Sequence, residues 1–361
     1  MKLDRFDALV WSVLAVLALA LAGVILAGDQ AGERALSVIY LAPSNGPREL
    51  WSKTVDAGQS EQLTSTNGKI WDFTVSPDGS QILYSLMNAN EGLDLWVMNR
   101  NGTGVRKALD CQYDRCSSAA WSLDRIMIAF NREPAGLGPG QGFGPPRIWL
   151  FNIQTGETYP LFADTQKLGY GASWSPDGAR LAYVDPQVPG IRIIHMQTGQ
   201  EIFLPSLMGT VGEWSPDGKR MLFINITQPD TDPHVRVYLA DLDSQDISTI
   251  QGILSDRSLE FGMPVWSPDG KEMIVGVRGL EKDLGRQIWL MAGDGFSAQE
   301  ITRDPAYVVN NYRWDPQGKV VVFQRTQLGI ANAQPEIMIW LREKNEFILL
   351  AEVATSPEWL P

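Results

Sequence analysis

Short apolar runs bounded by turn-forming residues recur from residue 37 to the end of the chain. Ile82-Leu83-Tyr84, Ile126-Met127-Ile128, Leu181-Ala182-Tyr183, Met221-Leu222-Phe223, Met273-Ile274-Val275 and Val320-Val321-Val322-Phe323 are such runs. Each is followed by a second run, which in five units carries an aromatic: Trp96, Trp149, Tyr238, Trp289 and Trp340. Arg192 takes that place in the remaining unit. Their length and their β-branched and aromatic content predict buried strands rather than helices. A polar turn and a weaker stretch, for example Glu201-Ile202-Phe203-Leu204, complete each unit.

Ahead of each first run stands Trp-Ser-Pro-Asp-Gly or a degenerate copy of it. The full motif occupies 174–178, 214–218 and 266–270; variants begin at Val75, Trp121 and Trp314, and a stub, Trp359-Leu360-Pro361, comes last. Pro presets one turn angle, Asp bonds its own backbone and Gly accepts a positive φ, so each copy predicts a hairpin turn between a first and a second strand. Four antiparallel strands repeated at roughly 40 to 50 residues describe the blade of a β-propeller. Residues 37–41, 49–52 and 61–64 match the second, third and fourth strands without a first, and 356–359 match a first strand alone. Joining the two ends makes one composite blade and removes the free edges. The expected fold is all-β: a seven-bladed β-propeller closed by its N- and C-terminal strands and preceded by one transmembrane helix. A six-bladed ring with a stray N-terminal hairpin is the alternative.

Residues 8–27 carry no charge and, as a helix, are long enough to cross a bilayer core of ~30 Å. Lys2 and Arg5 precede this run, and Asp29 and Glu33 follow it. The positive-inside tendency makes 1–7 a cytoplasmic N-terminus, 8–28 a membrane anchor, 29–35 a linker and 36–361 an extracytoplasmic propeller. A signal peptide cleaved near Ala20-Leu21-Ala22, leaving a secreted or periplasmic protein, is the rival reading, but the run exceeds the ~7 to 15 residues of a signal core. Cys111 and Cys116 are disulfide candidates in an oxidising compartment, with two unpaired thiols as the alternative. A net charge of −12 with no run of Lys or Arg argues against nucleic acid as a partner.

In such a blade the Pro-Asp-Gly turns lie on one face and the loops between second and third strands on the other. The latter are long, at 131–146, 227–234, 278–287 and 325–335, and length and irregularity mark them as candidate binding loops. Arg132, Glu133, Asp230, Asp232, His234, Arg278, Asp283 and Arg325 are the candidate ligand-binding residues they supply. The linker enters on the short-turn face, which predicts that face toward the membrane, with Gly178 nearer the bilayer than Gly138.

Catalytic chemistry has few candidates. No Gly-x-Ser-x-Gly elbow exists for a serine nucleophile. His195 and His234 fall on opposite faces, so neither a metal centre nor a histidine acid/base pair is expected, and no cofactor. The repeated Asp78, Asp177, Asp217 and Asp269 read as turn residues. Loop pairs such as Asp230 with Asp232 or Glu281 with Asp283 offer oxygen ligands to a cation but match no EF-hand spacing, and solvated loop charges explain them as well.

The motif followed by a basic-x-Leu-x-aromatic strand, best copied at 174–183 and 214–223, resembles the TolB-type propeller family, itself similar to the WD-repeat proteins. The resemblance spans 36–361 and implies a fold more than a function, because the motif residues are structural. TolB also has an α/β domain before its propeller, and nothing here resembles one. Prolyl oligopeptidase-type enzymes add a hydrolase domain, and oligogalacturonide lyases of this architecture use histidine-rich metal sites that two distant histidines do not reproduce. The expected function is a membrane-anchored, non-catalytic module binding a protein, peptide or cell-envelope glycan through its long-loop face. The alternative is a hydrolase or lyase acting on carbohydrate or peptide through channel-mouth carboxylates. Buried carboxylates with raised pKa at the channel favour the enzyme; an aromatic-lined patch favours binding.

Overall fold

The second strand of each repeat is apolar at almost every position because a neighbouring unit covers each of its faces. Val38, Ile39, Tyr40 and Leu41 are all buried, as are Ile82, Leu83 and Tyr84. Hydrophobic clusters accordingly straddle consecutive units: Ile39, Leu41 and Leu50 pack with Ile70, Ile82 and Tyr84, and Ala182, Ile191 and Ile193 pack with Trp214, Met221 and Phe223. The computed structural model describes residues 35–361 apart from 57, 137–141, 228–233, 251, 253–255, 257, 280–284 and 294. The expected N-terminal helix, Gly138, Asp230, Asp232 and Asp283 lie outside the described residues. Among the described residues no helix is long and apolar enough to cross a membrane.

The strands form an all-β propeller, but its sheets differ from the expected count. Five are discrete blades, whose second strands are Ser37–Ala42, Arg180–Asp185, Arg220–Thr227, Glu272–Gly279 and Val320–Gln327. The eight strands from Ile70–Val75 to Thr158–Pro160 instead form one sheet, fused by a parallel bridge between Leu93 and Arg115. Seven separate blades, and the six-bladed alternative, are therefore both corrected to five blades and one eight-stranded sheet.

The fusion has a local cause. The Cys111–Cys116 disulfide forms, with Cα atoms 6.3 Å apart, and tightens the connection that leads into Arg115–Trp121. The hairpin at 88–92 presses on that connection: Asn88 Nδ2 donates to the Gln112 carbonyl at 2.8 Å, and the Leu93 N–H donates to the Asp114 carbonyl at 3.0 Å. Gly92 permits the approach, since a Cβ there would lie 2.7 Å from the Asp114 oxygen.

The ends of the chain pair as one blade. Thr355–Leu360 lies antiparallel to Ser37–Ala42, with Val38 opposite Trp359 and Ser37 opposite Leu360. Ser37 thus enters on the face of the Pro-Asp-Gly turns.

Those turns repeat one hydrogen-bond circuit. Ser175 Oγ donates to Asp177 Oδ1 at 2.5 Å and accepts the Arg180 N–H at 2.9 Å, while Asp177 Oδ1 accepts the Ala179 N–H at 3.0 Å. Ser76, Ser122, Ser215 and Ser267 make the same bonds. Asp315 replaces the serine in the sixth copy and accepts the Val320 N–H itself at 2.6 Å. The preceding tryptophans, Trp121, Trp214, Trp266, Trp314 and Trp359, are buried between units. Several leave the indole N–H unpartnered, a cost of about 1–3 kcal/mol. Burial of the ring contributes about 4–6 kcal/mol, so packing wins.

First strands carry a recurrent bulge three residues before the tryptophan position, with Ser118, Gly171, Asn311 and Ser356 at positive φ. The preceding unit caps three of the freed amides: Asp72 Oδ2 accepts from Ser118 at 2.6 Å, Asn131 Oδ1 from Gly171 at 3.0 Å and Gln324 Oε1 from Ser356 at 3.2 Å. Such bulges re-aim side chains next to a channel.

Closing so small a loop makes the disulfide worth about 2 kcal/mol. The double variant C111A/C116A is expected to lower the urea unfolding free energy by that amount and to speed amide exchange at Leu93. An unchanged midpoint with unchanged exchange would show that the fused sheet does not rest on the disulfide.

Candidate functional site

Side chains alternate along a strand, so the residue before each motif tryptophan, or before Val75 in the first copy, faces away from the pocket that holds the tryptophan. In chain order these residues are Thr74, Ala120, Ser173, Glu213, Val265, Arg313 and Glu358. The first strands converge on a cavity of about 360 Å³ that opens on the short-turn face. Glu213, Val265, Arg313 and Glu358 line it, with Pro77, Pro268, Pro316 and Pro361 of the turns at its rim and Trp266, Trp314 and Trp359 in its wall.

The electrostatics of this mouth are unusual for a surface cavity. Burial pushes the Glu358 carboxyl from its ordinary 4.5 up to about 7, against the attraction of Arg313 and a hydrogen bond from the Val75 N–H. Burial also raises Glu213, which Arg313 offsets in part. Both side chains keep some accessible surface because they face the channel, while protein encloses them elsewhere. Glu213 has no hydrogen bond or ion pair among the described residues. Deeper in, burial raises Asp72 despite bonds from Ser85 Oγ at 2.5 Å and from the Ser118 amide, and Asp72 in turn raises Glu358. Tyr312, pushed by burial up to about 12, donates to the Met263 carbonyl at 2.6 Å and accepts the Gly276 N–H at 2.8 Å, which fixes the strand that carries Arg313.

Sequence reasoning missed Asp72, Glu213, Arg313 and Glu358. For Glu213, Arg313 and Glu358 the signal lay in the register of the repeat, one position before the motif tryptophan, whereas Asp72 stands three positions before Val75, where the first strand shifts register. Those of its selected residues that the structure describes are dispersed along the opposite face, in strands rather than in loops. Arg132 and Glu133 end the strand Met127–Glu133; Arg132 bonds Asp114 at 2.7 Å and lies 4.6 Å from the Trp149 ring. Arg278, in Glu272–Gly279, pairs with Glu260, and Arg325, in Val320–Gln327, bonds Glu336 at 2.7 Å and lies 4.2 Å from the Tyr307 ring. His234 opens the strand His234–Asp241 instead of sitting in the loop. Arg325 lines a second cavity, of about 280 Å³, with Gln287, Arg303, Tyr307 and Phe347. Among the described residues no group of three or more His, Cys, Asp or Glu could hold a metal ion.

No protein-family model matches the chain, and no curated protein matches it. Solved structures do. TolB from Acinetobacter baumannii shares 16% identity over 91% of this chain and 68% of its own, with a TM-score of 0.50. An oligogalacturonate lyase in complex with manganese shares 17% identity over 79% of this chain and 74% of its own, at 0.53. A prolyl endopeptidase shares 14% over 88% of this chain, at 0.64, and this chain spans half the length of that enzyme. The fold is thus a TolB-like β-propeller, shared by enzymes and non-enzymes alike.

The raised carboxylates set a pH dependence. An acid whose folded pKa exceeds its unfolded value binds its proton more tightly when folded, so its contribution is present below about 4.5 and is lost as pH rises through about 7. Asp124, Asp217 and Asp269, held low by their serine hydrogen bonds, act oppositely, their contribution being lost as pH falls below the usual carboxylate range. Stability is expected to peak near pH 5 and to decline by on the order of 1–3 kcal/mol toward pH 8, after allowance for solvent in the channel. E358Q should flatten most of that decline. A midpoint that rises across this window would contradict the placement of Glu358.

Proposed function

We propose that this chain is a non-catalytic binding propeller that holds a protein or peptide partner at the short-turn mouth of its channel, with a basic group of the partner seated against Glu213 and Glu358. The supporting observation is that Glu213 and Glu358, from two different first strands, line one cavity in which Arg313 is the only cationic side chain among the described residues, while Asp72 of a third first strand adds its charge to Glu358. Desolvated carboxylates attract an incoming ammonium or guanidinium more strongly than solvated ones, and a turn-lined rim of proline offers an apolar collar around it. Tethering through residues 8–28, with the propeller outside the cytoplasm, belongs to the same proposal and is supported by the uncharged run and its flanking charges.

A second reading, a hydrolase or lyase acting on carbohydrate or peptide, draws support from Glu358, whose value of about 7 suits a general acid. Both features expected to separate an enzyme from a binding module, raised carboxylates and an aromatic wall, occur in this one cavity. The direction of the shifts favours binding. Asp72, Glu213 and Glu358 are all displaced upward by burial, a cost that an incoming cation would relieve.

The reading is tested with acetyl-Gly-Lys-Gly-amide and its norleucine counterpart titrated against the full-length chain. The lysine peptide should bind better by at least about tenfold, an advantage that grows as pH rises through 7 and disappears in E213Q/E358Q. Equal binding of the two peptides, or an advantage untouched by the double variant, would sink the proposal.

A further inference from the structure

At the opposite, long-loop face, Arg115 differs from five arginines that each have a carboxylate partner. Arg132 pairs with Asp114, Arg192 with Asp185, Arg278 and Arg286 with Glu260, and Arg325 with Glu336. Arg115 has no ion pair or hydrogen bond among the described residues, and its Nε is buried without a partner. Two aromatics flank it instead: its guanidinium carbon lies 3.8 Å from the Phe143 ring centroid and 5.6 Å from that of Trp71. Glu133 is opposite in the strand register but makes no ion pair with it.

Trp71 is 47% exposed although it belongs to a first strand, Ile70–Val75. Beside that strand, Lys69 bridges Arg48, and neither has an ion pair among the described residues. A chain of net charge −12 thus sets Arg115 beside one exposed indole, with Lys69 two residues before Trp71 and Arg48 bridged to Lys69 through the backbone. A flanked guanidinium keeps its outer edge free for a planar acceptor, and its aromatic neighbours hold it in place without neutralising it.

We propose that Arg115, Trp71 and Phe143 form a docking site for an acidic peptide segment, with a partner carboxylate on the Arg115 guanidinium and a neighbouring apolar side chain on Trp71. Lys69 and Arg48 add attraction at longer range. This site is separate from the acidic mouth on the other face and selects the opposite charge.

The probes are acetyl-Gly-Phe-Glu-Glu-Gly-amide and its glutamine twin, titrated into the full-length chain by calorimetry at low and moderate salt. The acidic peptide is expected to bind at least about tenfold better, with the preference weakening as salt rises. R115Q should abolish the preference, W71A should weaken both peptides, and the exposed K69Q should reduce only the salt-sensitive part. W71A and K69Q keep the test decisive should R115Q fold poorly. Equal binding of the twins, full preference in R115Q, no effect of either W71A or K69Q, or no binding up to about 1 mM each overturns the proposal. So does binding of an acidic oligosaccharide in place of the peptide.

Discussion

A sheet that is apolar on both faces cannot end in water, and this constraint shapes the whole molecule. Each unit leaves one such face for the next, so the series is stable only if the last unit covers the first. Here that step falls to Thr355–Leu360, laid along Ser37–Ala42. Val38, Ile39 and Leu41 are at most 2% exposed in consequence. Exposing three such side chains would cost about 5–9 kcal/mol, a large share of the 5–15 kcal/mol that typically separates folded from unfolded protein. The six C-terminal strand residues therefore matter to every blade, and the channel they help to enclose exists only because the ends meet.

Much of this was legible in the sequence, and for a physical reason: the repeat signature is made of residues whose local chemistry is self-contained. Ser175, Asp177 and Gly178 complete a turn by bonding one another and their own backbone, so the same letters predict the same turn wherever they occur. Even the degenerate copies obey the rule, with Asp315 taking over the serine's acceptor role and Arg125 adopting the positive φ that glycine holds elsewhere. The fused eight-stranded sheet was not legible, because it depends on backbone contacts between the hairpin at 88–92 and the 111–115 connection, which no periodicity encodes. Nor were the loop boundaries. Arg132, Arg278 and Arg325 look like loop residues because they are polar, yet they extend second strands onto the rim, where a charged side chain reaches a partner across the strand.

The residues of the candidate site were hidden by the opposite property. Thr74, Ala120, Ser173, Glu213, Val265, Arg313 and Glu358 occupy one structural position and share no chemistry. A search for recurring residues passes over such a position, whereas a search for variation at fixed register finds it. Histidine counts and nucleophile motifs ask which residue types are present, whereas the candidate site depends on where ordinary carboxylates are placed.

Separation of scaffold from site follows from strand geometry. The buried tryptophan is held by packing against the neighbouring unit, and its predecessor, turned the other way, meets the channel instead of the core. Substitution there changes charge at the channel and not volume in the core, so a propeller can carry Glu213 and Glu358 near its axis while its blades stay intact. The burial that raises Glu358 and Glu213 is thus a cost carried by the channel alone, and it falls on groups that an incoming cation would relieve. Arg313 relieves them only in part, since Glu358 remains near 7 with Arg313 close by. Glu213 and Glu358 thus remain under-compensated by the charges of their own protein, and that shortfall is what the proposed basic group of a partner would answer.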